Sequence, residues 1–124
     1  MKEHTTLKDR IRLYTDEIGN IDGVISCVIG SQDGIAIGHN LPDAMAAPSF
    51  SAMSATMLAS AEAATSVVHL DSPHMVTVET GDHCILIQSA GAHALIAAII
   101  DTTKDTQEVT RQLAAIADRM GDEL

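Results

Sequence analysis

The histidines are the first residues to weigh for chemistry. There are six in 124 residues, and His74, His83 and His93 sit at the ends of short apolar runs in the C-terminal half. If Thr80-Gly81 is a two-residue hairpin loop, His83 faces Val78 and His74 faces Ile87. A similar hairpin about Ala90 puts His93 opposite Ile87 too. His74 and His93 would then flank Ile87 on one face, roughly 10 Å apart between backbones. Two imidazoles at that spacing could reach one ion, but zinc takes three or four ligands and the neighbouring side chains are aliphatic. The expectation is polar strand ends, with no metal and no cofactor.

Other groupings lead no further toward catalysis. Asp71-Ser72-Pro73-His74 gathers the residue types of a hydrolytic triad, yet adjacency and the rigid Pro73 keep those side chains from meeting. No G-x-S-x-G elbow occurs. Gly30-Ser31-x-x-Gly34 lacks the G-K-[ST] ending and following helix of a phosphate loop, so it reads as a turn. No catalytic residues are expected, and the chain is not read as an enzyme.

The segment Pro48 to Leu70, PSFSAMSATMLASAEAATSVVHL, suggests another kind of work. Its one charge is Glu62. Phe50, Met53, Met57, Ala61, Ala64 and Val68 recur at helical spacing, and Ala52, Ala55, Ala59 and Ala63 form a smoother second stripe. Ser49 or Ser51 could cap it, with Pro48 tolerated near the start. A surface helix normally keeps a charged face. Lacking one, this helix is expected to be covered by its own domain on one side and by something else on the other. Its hydroxyls, Glu62 and small residues argue against a membrane span.

Composition narrows the partners. Hydrophobic residues make up 46% but aromatics only 2%, so the core must be aliphatic and stacking on nucleobases is unavailable. The formal charge of −10 repels phosphate backbones and anionic lipids, so neither nucleic acid nor membrane is expected. Met1-Lys2-Glu3-His4 leads into a polar amphipathic helix, unlike a signal peptide, so a cytoplasmic location is expected. Cys27 and Cys84 should then be reduced, buried and inert.

At this length one domain, residues 1–124, is expected. The first helix runs from about Thr6 to Ile18 and stops at Gly19-Asn20. Val24–Ile29 and Ile35–Gly38 form a hairpin about Asp33-Gly34, with Gly34 at positive φ as a structural turn residue. After Asp71-Ser72-Pro73 come strands at about His74–Thr80, Asp82–Gln88 and Ala92–Ile100, the last apolar on both faces. Asp105 and Glu108 form a capping box for a closing helix with Val109, Leu113, Ile116 and Met120 as its stripe, ended by Gly121. The order is α-β-β-α-β-β-β-α. It implies an α+β sandwich: a five-stranded, mostly antiparallel sheet, the long helix on one face and the terminal helices on the other.

That order resembles the Roadblock/dynein light chain domain family. The opening helix, Ile21-Asp22-Gly23-Val24 entering the first strand, the Ser31-Gln32-Asp33-Gly34 turn, the long Ala/Ser/Met helix, the three-strand meander and the Leu113–Met120 helix carry the resemblance. The family implies a non-catalytic scaffold that binds and regulates a Ras-like small GTPase or serves a motor subunit. It also implies a homodimer, or a pair with a related chain, built from the long helices and the middle strands. Met53, Met57, Ala61, Ala64, Met75, Val76, Thr77 and Val78 are then the candidate dimer interface, and Ser60, Glu62 and Asp43 the candidate partner contacts. The family sheet order places the fifth strand between those of Cys27 and Cys84, beyond disulfide reach. The alternative is a structural or ligand-sensing dimer of profilin-like fold with no GTPase.

Overall fold

Helix α1, Leu7–Gly19, begins where its capping residues dictate. The Thr6 hydroxyl accepts from the Asp9 N–H at 3.0 Å, and the Asp9 carboxylate accepts from the Thr6 N–H at 3.4 Å. The computed structural model describes residues 6–124, and the lead-in Met1-Lys2-Glu3-His4 lies outside the described residues. There follow β1 (Val24–Ser31), β2 (Ala36–His39), a 3₁₀ turn (Ala44–Ala46) and α2 (Ala47–Val67). Strands β3 (Met75–Glu79), β4 (His83–Ala90) and β5 (Ala94–Asp101) lead to α3 (Thr106–Glu123). The expected element order holds.

The sheet runs β2-β1-β5-β4-β3 and every pairing is antiparallel. The last strand in sequence is thus the central one, which explains why β5 is apolar on both faces. Against the terminal helices pack Cys27, Ile29, Leu86, Ile96, Ala98 and Ile100, met by Ile11, Tyr14 and Ile18 of α1 and by Val109, Leu113, Ile116 and Met120 of α3. The alternate residues Val28, Leu95, Ala97 and Ile87 meet Ala47, Ala55 and Leu58 of α2. The expected sandwich, with α2 alone on its face, is what forms. Cys27 and Cys84 are buried free thiols with β5 between their strands. Burial, helped by the Asp16 carboxylate, pushes the Cys27 thiol up to about 12, so it is unreactive.

Several local expectations need correction. The β3–β4 loop is Gly81-Asp82, since the Thr80 N–H donates to the His83 carbonyl. Val78 therefore pairs with Ile85, and Ile87 with Val76 and Ala97. His74 precedes β3 beside Ser89, and His93 lies in the β4–β5 turn, so the two do not flank Ile87. Neither Ser49 nor Ser51 caps α2; Asp43 caps the preceding 3₁₀ turn, and that turn feeds the helix directly. Helix α3 starts with the Asp105 carboxylate accepting from the Glu108 N–H, but the Glu108 side chain turns to Arg111 and Gln112. Those two partners, Arg111 first, hold the Glu108 carboxyl down at about 2. Gly121 does not end α3, which continues to Glu123.

That extension has a purpose in the packing. Glu123 accepts a hydrogen bond from the buried Tyr14 hydroxyl, tying the end of α3 to α1. Burial and then the Glu123 carboxylate raise the Tyr14 phenol from 10.0 to about 12. A raised pKa means stability that is complete below the unfolded value and is lost as pH climbs from about 10 to about 12. Tyr14 is the sole tyrosine, so phenolate absorbance reads it directly. We expect it to ionise near pH 12 in the folded protein and near pH 10 in urea; equal midpoints would show that the phenol is not held by Glu123.

Helix α2 ends early, at Val67, with His69 in the left-handed region at φ 64. The Leu70 N–H donates back to the Thr65 carbonyl, the pattern of a helix stop that favours glycine. His69→Gly should raise stability by about 1 kcal/mol, since a side chain costs roughly that much in this conformation. A lowered urea midpoint would show that the His69 side chain has a role this geometry does not reveal.

Candidate interaction surface

Helix α2 sits low on the sheet because small groups meet. Its inward face is Ala47, Ser51, Ser54, Ala55 and Leu58, which is neither of the stripes read from the sequence. Beneath it lie Gly30 and Gly34. A Cβ on Gly30 would meet the Ser51 Oγ at 2.3 Å, and one on Gly34 the Ala52 Cα at 3.0 Å. With the small residues turned inward, larger ones are left outside. Met53 is 66% exposed and Val67 77%. Phe50 and Met57 lean partly on the sheet. Ala64 and Val68 are exposed, and Ala61 is half-buried.

Of the residues singled out in the sequence, Ser60, Glu62 and Asp43 are all exposed. Ser60 and Glu62 lie on α2. Asp43 stands before it, with its carboxylate accepting from the Met45 N–H. Asp71, a further rim acid, is also exposed. Val67 and Leu70 extend the apolar surface beyond the residues picked from sequence. The signal was the run Val67-Val68-His69-Leu70, which periodicity alone placed inside the helix. Gly34 has the positive φ expected of it, +91°.

Strand β3 lies at one edge of the sheet and β2 at the other. The two edges differ. Strand β2 has four residues, and its pairing with β1 slips at Ile29/Gly30. Such an irregularity blunts an edge. Strand β3 pairs with β4 residue for residue from Met75 to Glu79 without a slip. It has no proline and no lysine, and Val76 and Val78 are half-buried on the α2 side, with Met75 on the terminal-helix side. Its outer edge has no strand partner among the described residues. Met53 and Met57 on α2 and Met75 to Val78 on β3 therefore belong to one helix and one edge that lack a cover within the described residues.

Among the described residues no three of His, Cys, Asp and Glu come close enough to share a metal ion. Among the same residues, no helix is long and apolar enough to cross a membrane.

The sequence pattern of the Roadblock/LC7 domain matches residues 11–101. The chain belongs to the Roadblock/LC7 family. Helix α3 lies beyond the matched stretch, although its stripe completes the core. The fold is similar to that of Myxococcus xanthus MglB, with TM-score 0.85 at 10% identity, covering 98% of this chain and 92% of that one. The gliding protein MglB from Thermus thermophilus gives 0.83 at 15%, covering 98% and 96%. Profilin II of Acanthamoeba castellanii gives 0.67 at 14%, covering 90% and 97%. At these identities the likeness is one of fold. No curated protein matches the chain by sequence.

Proposed function

We propose that this Roadblock/LC7 chain is a homodimeric, non-catalytic scaffold of the cytoplasm that binds and regulates a Ras-like small GTPase. Membership of the family supports the GTPase-related role. The observation that carries the scaffold reading is the pairing of an almost uncharged, partly bare α2 with an unblunted β3 edge. Two β3 strands meeting across a twofold axis would join the two five-stranded sheets into one and bring two α2 helices side by side. A standard interface would hide about 1,600 Å². One solved MglB is described in a tetrameric arrangement, which supports self-association as a habit of this fold.

On the paired α2 helices, Ser60 and its small neighbours would let another backbone approach closely. Exposed acids at Asp43, Glu62 and Asp71 would steer a basic partner and speed encounter. One GTPase would sit asymmetrically across both protomers. Titration calorimetry with a Ras-like GTPase from the same cell, loaded with GDP or a GTP analogue, tests this. We expect one partner per dimer. Ser60→Arg should weaken binding at least about tenfold, or 1.4 kcal/mol, and leave the dimer intact. No heat of binding in either nucleotide state would leave a structural or ligand-sensing dimer as the better reading.

A further inference from the structure

Helix α2 is held to the protein by less than either terminal helix is. Helix α1 is capped by Thr6 with Asp9, and α3 by Asp105. The two are tied to each other by Tyr14 with Glu123 and by Arg119 with Glu17. Helix α2 has no side-chain cap at its N-terminus. Among the described residues, its side-chain hydrogen bonds, from Thr56 to the Ala52 carbonyl and from Thr65 to the Glu62 carbonyl, stay within the helix. None of the ion pairs among those residues involves it. Its buried face has one large side chain, Leu58, where α1 and α3 bury Ile11, Tyr14, Ile18, Leu113, Ile116 and Met120.

The seat itself carries a penalty. Ser51 and Ser54, one turn apart, are each 0% exposed, and neither hydroxyl has a hydrogen-bond partner. A buried hydroxyl left unpaired has lost its water without replacement, which weakens the folded state. Arg10 Nε on α1 is also unpaired, but its side chain is only half-buried. Both ends of α2 are irregular. The 3₁₀ turn Ala44–Ala46 precedes it, and His69 follows it in the left-handed region at φ 64.

We propose that α2 opens as a unit, hinged at Ala44–Ala46 and at His69, while the sheet and the terminal helices stay folded. Opening returns the Ser51 and Ser54 hydroxyls to water and bares Val28, Leu95 and Ala97 beneath the helix. Burying those apolar groups again closes it. A partner that grips the outer face of α2 more tightly in one position than in the other then sets which position is held. The opening belongs to the protomer's own fold, with or without a GTPase.

The test is native-state hydrogen exchange of the full chain, followed by ¹H–¹⁵N NMR over a series of low urea concentrations. It is run on the native chain and on Met53→Arg, so that a second copy lying on α2 is not mistaken for a firm seat. In at least one of the two, amides from Met53 to Thr65 should exchange as a group, about a hundredfold or more faster than those of β5 and α3. Their exchange should also depend less on urea, because this opening exposes less surface than global unfolding. Ser51→Ala and Ser54→Ala should each slow α2 exchange about tenfold. Ser60→Ala, at an exposed position of the same helix, should slow it no more than about threefold, the helix preference for alanine alone. Gly30→Ala would bring a methyl to 2.3 Å from the Ser51 Oγ, so it should speed α2 exchange, and adding Ser51→Ala should reverse that. Protection of α2 equal to that of β5 and α3 in both forms would overturn the proposal. So would Ser51→Ala and Ser54→Ala variants that slow exchange no more than Ser60→Ala does.

Discussion

Replacing Gly34 with valine should cost about 2–5 kcal/mol of stability. Two effects add. Gly34 has φ +91°, where a branched side chain is strained whatever space surrounds it. A Cβ there would also lie 3.0 Å from Ala52 Cα and 3.3 Å from Ala55 Cβ. The obstacle is the helix itself, which cannot turn aside as a flexible side chain would. Relief would need α2 to lift from the hairpin, loosening the seat of Ala47, Ala55 and Leu58 against Val28 and Leu95. Gly81 is the control, since it also lies in a hairpin turn but a Cβ added there would have nothing within 4 Å. Urea denaturation should show Gly81→Val nearly unchanged and Gly34→Val far down. Equal midpoints would mean that the hairpin does not touch α2.

Met53→Arg should loosen the proposed dimer at least about a hundredfold, since burying a charge without a partner costs several kcal/mol. Met53 is a better probe than Met57. It is 66% exposed in the protomer, so arginine there should leave the fold intact, whereas Met57 packs partly on its own sheet. The variant should unfold as the parent does when both are monomeric, yet sediment as a monomer where the parent is a dimer. A variant that stays dimeric would place the contact elsewhere than the Met53 face.

How far this was legible in the sequence depends on which force set each feature. The terminal helices were plain because large aliphatic residues, Ile11 and Ile18 or Leu113 and Met120, repeat at helical spacing and all go inward. The apolar run of β5 announced a strand covered on both faces. The orientation of α2 was not legible. Apart from Leu58, its inward positions are Ser51, Ser54, Ala47 and Ala55, which hydrophobicity ranks below Met53 and Val68. Only the nearby glycines, distant in sequence, explain why the small side is the buried one. Histidine register failed for a simpler reason: the β3–β4 loop lies one residue later than expected and the β4–β5 turn two, which moves the cross-strand partners by two and by four residues. Met53, Met57, Ala61, Ala64 and Met75 to Val78 can be picked from the sequence as proposed contacts, but the contrast between a blunted β2 and a β3 paired without a slip cannot. That contrast lives in backbone pairing, which periodicity does not report.

The proposed dimer underlies every functional claim made for α2 and β3, and sedimentation equilibrium of the native chain at low micromolar concentration tests it most directly. The account predicts a single species of twice the 13.0 kDa chain mass. A well-folded species of 13.0 kDa would contradict it.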